Sequence, residues 1–351
     1  MAGYDFFALV EERSPEEVEA MTAGMEGHYQ AILLRYALDC RRVEEREKQK
    51  AEEREKTRRE GLRTQRAPMM LMRKLGLIGA GEGAVARLPL GSAILEFDLV
   101  LEKNYVSRDD APFYPTDNPV RKERVFRAPM VAGSSWKGSL RSAAVENLVE
   151  RREEPERKAA ERIALVQIFG EEKGEEEGTH TLPRYLDDRL ERKAKGTFFV
   201  RLRELFGDIP VEEMHRKGRV RCLPTYFGQI QLDVLNPRER KTRAGTLPIV
   251  MEVVPADSVA QFSMLYVPFD LLGRREEELR KAVQQDWKLL GEALVRMLRY
   301  SGFGAKKSSG CGKAKIRNLR FESRLARAQA PAKEPPIEEL LELHSRLEAA
   351  P

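Results

Sequence analysis

From Ser92 onward the hydrophobic pattern changes period in a fixed order, and that order constrains the fold more than any other feature. AILEFDLVLE places Leu95, Phe97, Leu99 and Leu101 at every second position, as a strand with one apolar face does. Ser135 to Glu150 then reads as a helix with Leu140, Ala144, Val145 and Leu148 toward its buried side. VRCLPTYFGQIQLDVL follows as a strand or hairpin, and IVMEVVPADSVAQFSMLYVPFD as two strands around a Pro-Ala-Asp turn. EEELRKAVQQDWKLLGEALVRMLRY carries Ala282, Trp287, Leu290, Ala293, Leu294 and Leu298 at helical spacing, and a glycine-rich loop leads into a last strand. Strand, helix, strands, helix, strand predicts an α+β fold of the ferredoxin-like (RRM-like) type with long insertions. Helices gathered on one face of such a sheet leave the other face for a ligand, and nucleic acid is a common occupant.

The flanks differ in texture, which divides the chain into an extension and linker over 1–91, a ferredoxin-like domain over 92–325 and a charged tail with a short helix over 326–351. Ser14-Pro15-Glu16-Glu17 is a good helix start, with serine as cap, proline at the first position and acids in the first turn. Residues 41–66 hold eleven basic and seven acidic residues without apolar heptad positions, so a solvated helical arm is expected rather than a long coiled coil. In the linker, Gly79, Gly81 and Ala84 have the spacing of a dinucleotide-binding turn, but Pro89 cuts short the helix that should follow. A loop is the expectation there.

Of 351 residues, 34% are charged, and the formal charge is +5. That balance is too mild to identify a polyanion partner, so a nucleic-acid site must come from local arrangement. Cys40, Cys222 and Cys311 are few and far apart, which excludes a disulfide framework or a Cys-x-x-Cys metal site and fits a reducing cytoplasm. His28, His180, His215 and His344 have no zinc-binding spacing. No apolar run is long enough to span a bilayer, and the first residues lack the pattern of a signal peptide. A cytoplasmic protein with no membrane partner is expected.

Two segments carry the chemistry. Gly133-Ser134-Ser135-Trp136-Lys137-Gly138 sits at a helix start, where free backbone N–H groups and the helix dipole favour an anion, and Arg141 lies one turn beyond Lys137. GFGAKKSSGCGKAK, from Gly302, brings four glycines that permit close backbone approach, with Lys306, Lys307, Ser308, Ser309, Gly310 and Lys313 as donors. Both suit a phosphate backbone. Trp136 has two readings, stacking on a base or sugar and filling the core.

The segment TDNPVRKERVFRAPMVAGSSWKGSLRSA resembles the RAMP superfamily of CRISPR type III effector complexes, in which a Gly-Ser-Ser-hydrophobic-Lys-Gly-x-x-Arg signature opens the first helix. Three further segments agree in type and order: IFGE and LFGD with the short Phe-Gly motif, AGTLPIVMEVVPADSVAQF with the Glu-hydrophobic-Val-Pro strand pair, and GFGAKKSSGCGKAKI with the closing glycine-rich loop. The resemblance implies a RAMP fold and a subunit that binds crRNA beside other subunits, as a stacked backbone unit or an end cap. It departs at Trp136, where a smaller aliphatic is usual, and at Ala132, where proline is usual.

In the backbone branch of that family an aspartate before the Gly-Ser-Ser motif cleaves complementary target RNA. The resemblance places that role at Asp117, in Asp117-Asn118-Pro119-Val120, with Asp109 and Asp110 as weaker candidates. A carboxylate near the scissile phosphate serves to deprotonate the ribose 2′-OH or to hold a divalent metal, Mg2+ by expectation, that does so. Asp-Asn-Pro also makes an ordinary turn, so the readings are a cleaving subunit, a non-catalytic subunit and a stand-alone endoribonuclease that processes CRISPR transcripts.

Overall fold

The computed structural model describes residues 63–64, 66–81, 83–108, 118–170, 182–207, 217–235, 249–326 and 331–347, together with Glu17 and Ala20, which are helical. Most of the expected N-terminal arm therefore lies outside the described residues. The strands are β1 (Arg63–Thr64), β2 (Ala93–Leu101), β3 (Met130–Val131), β4 (Val220–Cys222), β5 (Thr225–Tyr226), β6 (Gln229–Leu235), β7 (Ile249–Val253), β8 (Val259–Tyr266) and β9 (Ala314–Ser323). The helices are α1 (Arg66–Lys74), α2 (Gly133–Glu150), α3 (Pro155–Phe169), α4 (Leu182–Arg189), α5 (Arg192–Phe206) and α6 (Glu276–Val295). The chain divides into two compact units, one of Met1–Pro68, Val106–Pro129 and Gly228–Pro255, the other of Met69–Tyr105, Met130–Phe227 and Ala256–Pro351.

The larger unit holds an antiparallel sheet in the order β4-β8-β2-β9. In chain order its parts run β2, α2, β4, β8, α6, β9, so the α+β class read from the sequence is the class observed. Leu95, Phe97, Leu99 and Leu101 are buried on one face of β2, as the alternation predicts. Phe97 stacks on Phe262 of β8 at 4.6 Å, and Trp136 of α2 meets Phe262 edge-on at 5.1 Å. Trp287 of α6 lies against Phe321 and Tyr266, so both helices close the same face.

Local chemistry sets the helix ends. Three glutamates, Glu276 to Glu278, occupy the first turn of α6, where the helix dipole favours negative charge. Pro155 opens α3, and Gly170 at φ 74° ends it. A buried network ties the start of β4 to α6: Arg219 donates to Asp286 at 2.6 Å and to Asp270 at 2.9 Å, and the Tyr266 hydroxyl donates to Asp286 at 2.6 Å. Burial opposes the charge on Arg219, but its bond to Asp270 and the charge of Asp286 more than offset it. Burial pushes Asp286 above the usual carboxylate range although Arg219 pulls the other way.

Part of the opposite sheet face is covered, around Glu96. Glu96 of β2 is buried there, and its carboxylate accepts from the Ala80 N–H at 2.7 Å, from Ser263 at 2.9 Å and from Arg320 at 3.2 Å. Gly79 of the linker thus lies on the sheet: a Cβ there, at φ 85°, would stand 2.7 Å from the Gln261 side chain. The C-terminal residues also fold back. Leu340, Leu343 and Leu347 are fully buried, and Gly291 of α6 is needed because a Cβ there would meet the Leu340 carbonyl oxygen at 2.2 Å.

In the smaller unit β1, β6 and β7 form a separate antiparallel sheet. The two strands read around Pro255-Ala256-Asp257 do form, but β7 pairs with β6 and β8 with β2 and β4, so they belong to different sheets. The stretch read as one strand or hairpin after Arg219 likewise splits into β4, β5 and β6, each in a different sheet. Alternation in a sequence reports which side of a strand is apolar and carries no information on the partner.

Candidate nucleic-acid interface

Helix α2 begins at Gly133 for a packing reason. A Cβ on Gly133 would lie 2.2 Å from the backbone carbonyl oxygen of Cys222, so only glycine lets the helix start press against β4. The cap residue, Ala132, is extended and supplies no side-chain bond, which leaves the first N–H groups of the helix to other acceptors. Ser134, Ser135 and Gly138 are exposed around this end, and no described residue outside the helix's own backbone comes within 4 Å of where a Gly138 Cβ would be. The two glycines read as one feature therefore divide their work. Gly133 admits the protein's own strand, and Gly138 leaves open space.

Trp136 is fully buried. Its indole N–H donates to Thr225 Oγ1 at 2.9 Å, and that hydroxyl donates in turn to the Gln261 carbonyl at 3.1 Å. Its ring packs on Phe303 at 4.4 Å, and Phe303 is the first apolar residue of the glycine-rich loop. The structure therefore corrects the stacking expectation: no face of Trp136 is available to a base. The large ring joins the two motifs, which a small aliphatic side chain does not reach across to do.

Tyr105 completes that joint. Its ring lies 5.5 Å from Phe303 and 5.7 Å from Phe227, and its hydroxyl donates to the Met130 carbonyl just before α2. The loop closes on itself at its base, where Phe303 N–H donates to the Gly312 carbonyl at 3.1 Å and Gly312 N–H to the Asn104 carbonyl at 3.2 Å. A Cβ on Gly312 would fall 1.9 Å from the Phe303 oxygen, so this crossing requires glycine. Beyond it Lys306, Lys307, Ser308 and Ser309 are exposed, with Lys306 at φ 55° and Gly310 at φ 80° shaping the turn. Lys313 is half-buried, and its carbonyl accepts from Glu102 N–H at 2.8 Å.

Lys137 is half-buried and holds its proton less tightly than a free lysine. Burial is the main cause, followed by the charge of Arg141; Cys222 acts the other way, and Arg221 adds a smaller lowering effect. Burial pushes the Cys222 thiol up to about 12, so it stays neutral. No carboxylate is among the groups acting on Lys137. Such a cluster of cations is stabilised by an anion. Arg221, on the short strand β4, was not singled out in the sequence; its signal was the apolar-charged-apolar alternation of Val220-Arg221-Cys222.

Arg141 departs from expectation in part. Its guanidinium donates to the Gly170 carbonyl and lies over the Phe169 ring at 5.7 Å, so its first partner is the Phe-Gly segment that ends α3. It holds that segment to α2 while adding its charge to the neighbourhood of Lys137.

Asp109, Asp110 and Asp117 lie outside the described residues, as does most of the loop that carries them. The described residues on either side belong to the smaller unit. Asn118 Nδ2 donates to the Ser107 carbonyl at 3.1 Å, and Arg121 N–H to Ser107 Oγ at 2.9 Å. Glu252 of β7 accepts from the Val120 N–H at 3.2 Å and from Lys122, and both side chains of that ion pair are buried. Glu252 N–H donates to the Asn118 carbonyl at 3.0 Å. Among the described residues no group of three or more His, Cys, Asp or Glu side chains stands together as a metal site, so no donor set for Mg2+ is seen there.

A family model described as RAMP superfamily matches residues 77–315. The chain belongs to the RAMP superfamily. That span runs from the linker on the sheet face through the glycine-rich loop and so contains both motifs joined by Trp136 and Phe303. No curated protein matches the chain. Among solved structures, it is similar to a chain of "Cryo-EM structure of the Type III-B Cmr-beta bound to cognate target RNA", at 13% identity and a TM-score of 0.40. That match covers 66% of this RAMP protein and 61% of the other chain. Among the described residues no helix is long and apolar enough to cross a membrane.

Proposed function

We propose that this RAMP protein is a crRNA-binding subunit of a type III CRISPR effector complex, working in the cytoplasm beside other subunits. The observation that carries the reading is the Trp136–Phe303 joint, which brings the start of α2 and the glycine-rich loop together and leaves their polar residues outward. Ser134, Ser135, the first N–H groups of α2, Lys137, Lys306, Lys307, Ser308 and Ser309 form a set of donors and cations suited to phosphate and ribose. Such contacts carry no base information, so a guide of any sequence is accepted. The sheet order β4-β8-β2-β9, entered as strand-helix-strand-strand-helix-strand, supports the ferredoxin-like form of the fold.

The reading extends to target RNA. Asp117 is proposed as the carboxylate that promotes attack of the ribose 2′-OH on the adjacent phosphorus, with Asp109 and Asp110 as alternates. This part rests on the resemblance at Asp117-Asn118-Pro119-Val120. Replacing Asp117 by Ala in the assembled complex and mapping RNA cuts tests it: loss of one cut with binding intact is expected, an unchanged cut pattern would remove Asp117 from the mechanism, and an unchanged pattern with Asp109 and Asp110 replaced as well would assign the chain a binding role alone. Binding is tested separately, by titrating the full chain with labelled RNA as salt is raised.

A further inference from the structure

The helices between α2 and β4 carry a surface that the proposed RNA contacts do not use. Helix α5 packs through Phe198 and Leu202 against Ala159, Ile163 and Val166 of α3, and Ala194 on the same side is buried. At 100° per residue, the side away from that core carries Arg192, Lys193, Gly196, Phe199, Val200, Arg203 and Glu204, of which Lys193 pairs with Glu156. A solvated helix face is ordinarily polar throughout. Here the middle is apolar: Phe199 is 37% exposed and Val200 59% exposed.

Gly196 adds an independent observation. A glycine inside a helix weakens it relative to alanine, and such a position usually has a reason in packing. Among the described residues nothing supplies one, because none outside its own helix backbone and chain neighbours comes within 4 Å of where its Cβ would be and its φ is not positive. An exposed glycine one turn before two exposed apolar residues lets another backbone come close and gives it side chains to pack on. Arg192 and Arg203 flank this centre, and neither forms an ion pair among the described residues.

We propose that this face of α5 docks a neighbouring protein subunit through an amphipathic segment that is apolar in the middle and acidic at both ends. The two arginines select the acidic ends by charge complementarity, and Phe199 and Val200 fill the centre. RNA is the poorer fit, since Val200 offers a nucleotide nothing and Glu204 places a carboxylate beside Arg203. The partner's identity as a subunit rests on the proposed function, whereas the site itself does not.

The test uses the full chain in the complex isolated through a tag on it. A photo-crosslinking amino acid replaces Val200, and the adduct is sequenced. Phe199→Asp with Val200→Asp is examined alongside, for far-UV circular dichroism of the free chain and for incorporation into the complex. The expected result is an adduct to a polypeptide with Asp or Glu within a turn or two of the attachment point. Incorporation of the double variant should fall by about tenfold with the free fold unchanged. An adduct to RNA, an adduct to a basic polypeptide, or normal incorporation without any adduct overturns the proposal. A chain that binds no RNA yet cross-links as expected would sink the RNA reading and leave this one standing.

Discussion

Two lysines, one in each unit, show how the same side chain is put to opposite uses. Lys122 of the smaller unit is buried and meets its counter-charge inside the protein, at Glu252. Lys137 of the larger unit is half-buried among Arg141 and Arg221 with no carboxylate acting on it. A buried, neutralised pair fixes structure and offers a ligand nothing. A partly desolvated cation without a counter-charge is raised in energy until an anion arrives. The difference separates the residues that hold this RAMP protein together from those available to RNA.

The largest effects should come from breaking what is neutralised or packed. Lys122→Ala leaves the Glu252 carboxylate buried and unpaired, and a loss of about 3–5 kcal/mol is expected in denaturant unfolding. Lys122→Met combined with Glu252→Leu should recover part of that loss, because the Val120 N–H still lacks its acceptor. Trp136→Ala should cost a similar ~3–5 kcal/mol by opening a cavity against Phe262 and Phe303, while Trp136→Phe should cost less. Equal stability of the Trp136→Ala variant would contradict the joint between the two motifs.

Smaller effects should follow at Lys137, and on binding rather than folding. Lys137→Ala should weaken RNA binding by about tenfold, the scale of one charge-assisted bond, with the melting curve little changed. The pH dependence has a definite sign. In the free chain the Lys137 pKa lies below that of an ordinary lysine, and a phosphate beside it raises it again. Affinity is therefore full below the lowered free-chain value and declines as pH rises through it. Lys137→Arg, charged throughout, should flatten that decline in an anisotropy titration. An identical alkaline decline in both would assign it to another group.

Much of the larger unit was legible because its strands and helices have distinct apolar periods. β2, α2, α6 and β9 fall where the pattern puts them, within a few residues. What the sequence hid was partnership. β7 and β8 read as a pair, yet each finds its neighbour elsewhere, since strand pairing is decided by burial across the fold. Trp136 could not be placed from sequence because a tryptophan beside a lysine suits either a core or a base; the indole bond to Thr225, distant in sequence, decides it. Gly133 and Gly138 looked alike, and only the approach of the Cys222 carbonyl separates them. Gly79 and Ala80 carried no sign that they lie on Glu96, a buried carboxylate that an alternating strand pattern would place toward solvent.

The central claim is that Lys137, Lys306 and Lys307 face the phosphate backbone of a bound RNA. Fluorescence anisotropy with a labelled single-stranded RNA, repeated over a series of salt concentrations, tests it most directly. Each lysine-to-alanine change should weaken binding to unrelated RNA sequences alike and lower the slope of log affinity against log salt by about one unit or somewhat less. Unchanged affinity and an unchanged slope in the triple variant would contradict it.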